Sequence, residues 1–89
     1  MTITHSSLFN DFLSFWFDTF VDGEHRFETV IDFHKREWYF CQVGVQPCLF
    51  HGRLEGPSET IEEEKASVEN VKPIIEAAIR ERTASVDTK

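Results

Sequence analysis

The apolar positions of the chain change period once. From Phe15 to Leu54 they alternate every second residue, and from Ile61 to Ile79 they recur at three- and four-residue steps. The first pattern marks half-buried strands and the second an amphipathic helix. Asp22-Gly23 divides the strand region, and a two-residue hairpin turn needs positive φ at both positions, which Asp and Gly tolerate. Strands are therefore expected over about Phe15–Val21 and His25–His34. In the second, Phe27, Thr29, Ile31 and Phe33 alternate with Glu28, Val30, Asp32 and His34. His34-Lys35-Arg36-Glu37 reads as a charged turn. A third strand, Trp38–Val43, sets Trp38 and Phe40 on one face and Tyr39, Cys41 and Val43 on the other. Gly44-Val45-Gln46-Pro47 turns the chain into a fourth, Cys48–Glu55, with Phe50 and Leu54 inward and His51 and Arg53 outward. Gly52 weakens that strand or admits a close neighbour.

Ahead of Phe15 the pattern is ambiguous. Residues 1–6 are polar and read as loose. From Ser7 onward a helix would gather Asn10, Asp11, Ser14 and Asp18 into a polar stripe. A strand would instead put Leu13, Phe15, Phe17 and Val21 on one face. Aromatic and β-branched content favours strand in the second half, preceded by an irregular or single-turn helical segment.

The helix signals agree with one another. Gly56-Pro57 is a turn. Thr60 followed by Glu63 fits a capping box, in which hydroxyl and carboxylate satisfy each other's backbone amides. Ile61, Val68, Val71, Ile75, Ala78 and Ile79 then fall within an arc of roughly 100°. Glu62, Glu69 and Glu76 point away from it, while Glu64 falls among the apolar positions. Pro73 removes one backbone bond and crowds the preceding turn, so the pattern predicts either one kinked helix or two short helices meeting at Lys72-Pro73. Fraying is expected from Thr83.

The expected fold is thus α+β: a four-stranded antiparallel meander packed by one C-terminal helix that lies across one sheet face. Residues 1–89 form a single domain with an ordered core of about 8–82. The other sheet face would carry Trp16, Val30, Tyr39 and Cys41, although which alternate set meets the helix is left open without registers. An uncovered aromatic face of that size marks a binding or dimer surface.

Charge narrows the partners. The net charge is −7. Residues 55–69 hold Glu55, Glu59, Glu62, Glu63, Glu64 and Glu69 against Lys65 alone. A nucleic-acid backbone needs clustered Lys and Arg, and Arg26, Lys35, Arg36 and Arg53 are few and mixed with acids. An acidic helix start suits a basic surface on another protein; the plainer reading is a solvated face that aids solubility. The stretch from Leu8 to Val21 is too short and too polar to span a bilayer. Two cysteines without a secretory signal point to a reducing, cytoplasmic setting.

Little else suggests chemistry. His34, Cys41, Cys48 and His51 are ligand-type residues, but their spacing lacks the paired steps of structural zinc sites. Buried core cysteines and surface histidines are the simpler reading, and a Cys41–Cys48 disulfide is geometrically possible but disfavoured in a reducing compartment. A thiol-protease arrangement of Cys41 with His34 or His51 lacks a cleft and an oxyanion site. Glu62, Glu63 and Glu64 diverge around a helix axis and cannot converge on one ion. No catalytic residue, cofactor or metal site is assigned.

Trp38-Tyr39-Phe40, then Gly56-Pro57, then Thr60-Ile61-Glu62-Glu63 give the chain a resemblance, over about residues 38–69, to small β-meander-plus-helix proteins of phages and prophages. Some of those are anti-CRISPR inhibitors that bind a host surveillance complex or nuclease. Glu64 and Pro73 depart from that pattern. The resemblance implies a non-enzymatic inhibitor and transfers no functional residue. Taken with the charge, the expected function is a protein-binding module. It engages a basic, nucleic-acid-binding host protein through Glu59, Glu62, Glu63 and Glu69 and through the exposed aromatics Trp16 and Tyr39. The alternative is an accessory domain that homodimerises through its free sheet face.

Overall fold

Asp22 and Gly23 take up positive φ values of 51° and 83° and join two antiparallel strands, as their dipeptide dictates. In the computed structural model, which describes residues 1–87 and their side chains through Thr83, the chain is α+β. Six strands form one antiparallel sheet: β1 (Ile3–His5), β2 (Phe9–Asn10), β3 (Phe15–Val21), β4 (Glu24–Asp32), β5 (Glu37–Gln42) and β6 (Phe50–Arg53). One helix, α1 (Ile61–Asp87), follows. The chain divides into two compact units, Met1–Glu55 with the sheet and a second from Gly56 with the helix.

The expected four strands are β3 to β6, paired in meander order. Two short strands are added, because β1 and β2 both pair with β3. This bears on two expectations. Residues 3–5 are not loose: Ile3, Thr4 and His5 pair with Val21, Phe20 and Thr19. Of the two readings of the segment before Phe15, the helical turn is not realised: Phe9 and Asn10 pair with Trp16 and Phe15, while residues 11–14 are irregular as the other reading had it. The physical reason is that β3 would otherwise present an edge of unpaired amides and carbonyls, and a nearby extended segment satisfies them. Asp11 closes the β2–β3 connection. Its carboxylate accepts from the Leu13 and Ser14 amides at 3.1 and 3.0 Å, a turn typical of aspartate.

One face of the sheet is buried. Phe17 and Thr19 on β3, Phe27, Thr29 and Ile31 on β4, and Trp38 and Phe40 on β5 make up that face. Phe27 and Phe40 stack with centroids 4.9 Å apart, and Phe40 meets Phe50 at the same distance. Each fully buried Phe contributes roughly 1.5–3 kcal/mol of transfer free energy. Gly52 admits a side chain rather than a backbone. A Cβ there would lie 2.6 Å from Trp38 Cε2, and the indole Nε1 donates to the Arg53 carbonyl at 3.2 Å.

The capping box forms as read. The Glu63 amide donates to Thr60 Oγ1 at 3.1 Å, and the Thr60 amide donates to Glu63 Oε1 at 3.1 Å. The helix passes Pro73 without a break, so the reading of two separate helices is not realised. It also continues beyond Thr83, whose hydroxyl donates to the Ile79 carbonyl at 2.9 Å. Its buried stripe is Val68, Val71, Ile75 and Ile79, with Ser67 beside them. Ile61 departs from the expected arc and is 73% exposed. As the first helical residue after the cap, it precedes the first full turn of the buried stripe.

The cysteines differ most from expectation. Cys41 and Cys48 are joined in a disulfide, not held as buried thiols, and Cys48 is exposed. The zinc cluster and thiol nucleophile, which the sequence reading set aside, have no free thiolate in this structure, and free thiols no longer argue for a reducing compartment. Among the described residues, no helix is long and apolar enough to cross a membrane.

Candidate functional site

Strand register assembles the outer face, because residues directly opposite on paired strands point the same way. Phe9 faces Trp16, Trp16 faces Val30, Val30 faces Tyr39, and Tyr39 faces His51. These residues form one row across β2, β3, β4, β5 and β6. At strand spacings near 4.8 Å the row is roughly 19 Å long. Rings touch at both ends: Phe9 and Trp16 lie 5.6 Å apart and Tyr39 and His51 5.9 Å apart. Trp16 and Tyr39, singled out from the sequence, are thus brought into one row.

Acidic rows flank this stripe on both sides. Asp32 and Glu37 pair across β4 and β5, with Arg53 opposite Glu37 on β6. On the other side Asp18 pairs with Glu28, which faces Cys41. Tyr39 belongs to this electrostatic setting: its hydroxyl donates to Glu37 Oε2 at 3.1 Å. That hydrogen bond, followed by burial and the charges of Glu37 and Asp32, raises the phenol above its ordinary value.

The β2–β3 turn extends the apolar surface into solvent. Phe12 is 96% exposed and Leu13 84% exposed at its tip. Sequence reasoning missed them because it held residues 7–14 between helix and strand. The signal was present in Asn10-Asp11 and Ser14, a cluster that favours turns. At the far end of β5, the disulfide closes the loop from Val43 to Pro47. Val43 and Val45 on that loop are exposed. With Glu28, Val30 and Cys41 they line an open concavity of about 550 Å3.

The helix acids separate into two kinds. Glu63 is consumed by its cap, accepting from the amides of Glu59 and Thr60, and Glu69 pairs with Lys72 Nζ at 2.8 Å. Glu59 and Glu62 are exposed at the helix start, where the macrodipole favours negative charge. The sheet also brings together a set that sequence reasoning did not find. Asp18, His25 and Glu28 have one ligand-type atom each within 4.8 Å of one another.

Comparison of the chain with protein-family models, curated proteins and solved structures returns no match.

Proposed function

We propose that this protein is a non-enzymatic binding module whose outer sheet face engages a basic, nucleic-acid-binding protein. The observation that carries the reading is the Phe9–Trp16–Val30–Tyr39–His51 row lying between two acidic rows. Aromatic anchors ringed by charge are what protein interfaces use for affinity and orientation. The exposed Phe12 and Leu13 add apolar area at one end. Glu59 and Glu62 supply a second acidic surface that raises the encounter rate with a cationic partner. A phage-type inhibitor of the anti-CRISPR kind, acting in the cytoplasm, is the specific form of this reading.

Homodimerisation through the same face is the second reading, favoured by the apolar row itself. Electrostatics weighs against it. In a two-fold dimer the outer face meets its own copy, so Asp18, Glu28, Asp32 and Glu37 would confront like charges, and the whole chain carries −7. A basic partner converts the same carboxylates into attraction.

The test is comparative capture from host extract on immobilised protein, with retained proteins identified by mass spectrometry. Wild type retains a basic protein that Trp16→Ala/Tyr39→Ala loses and Glu59→Lys/Glu62→Lys binds more slowly. Equal retention by all three forms refutes the reading. Light scattering at high concentration that shows a dimer of wild type and a monomer of Trp16→Ala/Tyr39→Ala would favour the second reading.

A further inference from the structure

We infer that Asp18, His25 and Glu28 form a zinc site on the outer face of the sheet; Asp18 and Glu28 also belong to one acidic row of the reading above, and zinc binding by the chain alone tests the site without any protein partner. In an unbroken β4, His25 and Glu28 would point to opposite faces, being three residues apart. They do not, because the β3–β4 register shifts at Thr19/Phe20: Thr19 pairs with Phe27, but Phe20 pairs with His25. Arg26 is the extra residue of the resulting bulge. Bulges re-aim side chains, and they concentrate at functional sites. Here the bulge turns His25 onto the face that holds Asp18 and Glu28.

Two further features suit a cation at this point, a role that a protonated His25 paired with Asp18 would otherwise fill. Asp18 and Glu28 are direct cross-strand partners, and like charges so placed destabilise a sheet. Asp18 Oδ1 also lies 3.1 Å from His25 Nε2, yet it is buried with no hydrogen-bond partner among the described residues. The imidazole nitrogen and the carboxylate oxygen therefore converge without being aligned on each other. Two ligand atoms on a tetrahedral zinc, at bond lengths near 2.1 Å, sit roughly 3.4 Å apart. Glu28 completes the set, since all three ligand atoms fall within 4.8 Å of one another. One imidazole and two carboxylates suit zinc better than magnesium or calcium, which prefer all-oxygen shells. Three protein ligands leave a fourth position for water or for a group of a bound partner.

The experiment is a calorimetric titration of the chelator-treated, untagged 89-residue chain with zinc chloride, paralleled by NMR of the four histidines. Wild type binds one zinc per chain, and the His25 imidazole resonances move while those of His5, His34 and His51 stay. His25→Gln and Asp18→Asn each weaken binding by more than the roughly tenfold that loss of even an outer-shell partner costs, with circular dichroism unchanged. The NMR result needs no variant and stands even where a substituted chain folds poorly. Absence of zinc binding, binding unaltered by both substitutions, or resonance shifts at other histidines with His25 unmoved overturns the assignment.

Discussion

The indole of Trp38 occupies the space where Gly52 has no side chain: a Cβ on Gly52 would fall 2.6 Å from Trp38 Cε2. The two residues are direct partners across β5 and β6, so the glycine is fixed by packing rather than by backbone angle. Gly52→Ala gains the lower unfolded-state entropy of alanine, worth under about 1 kcal/mol. It must also displace a buried ring, which costs about 1–3 kcal/mol. Net destabilisation is expected, read as a lower denaturant midpoint at unchanged slope. A midpoint equal to or above wild type would show that the ring moves freely.

Thr29 is fully buried, and its hydroxyl has no hydrogen-bond partner among the described residues. An unmade buried hydrogen bond costs about 1–3 kcal/mol, and an apolar group of the same shape removes that cost. Thr29→Val should therefore raise stability by about 1 kcal/mol. Thermal unfolding of the two proteins at equal concentration checks it, and a loss of stability would reveal a bond that the hydroxyl makes.

Tyr39 is the only tyrosine of the chain, so ultraviolet difference titration reports it alone. Its midpoint should lie above the free phenol near 10, and Glu37→Gln should lower it, because the Glu37 hydrogen bond is the largest cause of the shift. The folded state holds the phenol proton to higher pH than the unfolded chain does. The associated stability is therefore complete below the unfolded value and declines as pH rises from there through the folded one. A midpoint indifferent to Glu37→Gln contradicts this.

The Cys41–Cys48 bond closes a loop of seven residues' separation. Loop-closure entropy for so short a ring gives a stabilisation of about 2–3 kcal/mol. Cys48→Ser, or reduction of the wild type, should lower the unfolding midpoint accordingly and expose the Val43–Pro47 loop to protease. The two treatments should agree with each other. Wild-type unfolding that is unchanged by reductant would contradict the expected contribution.

Much of the sheet was legible because its alternation and the Asp22-Gly23 turn are local signals. β3 begins and ends where the pattern placed it, and Trp38 and Phe40 face away from Tyr39 and Cys41 as read. The rest depended on partners distant in sequence. Ile3–His5 becomes a strand only because β3 offers it an edge, and nothing within residues 1–6 announces that. The row through Trp16, Val30 and Tyr39 was foreseeable as a face, but not as a line, since register decides which residues are opposite. The bulge that aims His25 at Asp18 leaves no mark in composition. At Pro73 the first of the two readings, one helix through the proline, is the one realised: the helix gives up one amide bond there and continues, with Val71 and Ile75 buried on either side. The disulfide was judged by compartment, whereas β5 and the turn after it bring the two cysteines together.

The outer-face row is tested most directly by the affinity of the captured partner for Trp16→Ala/Tyr39→Ala, measured by biolayer interferometry against wild type. Central aromatic anchors typically cost 2 kcal/mol or more when truncated, so binding should weaken by at least about 30-fold at a temperature where circular dichroism shows both proteins folded. Affinity within about twofold of wild type would contradict the account and move the contact surface elsewhere on the chain.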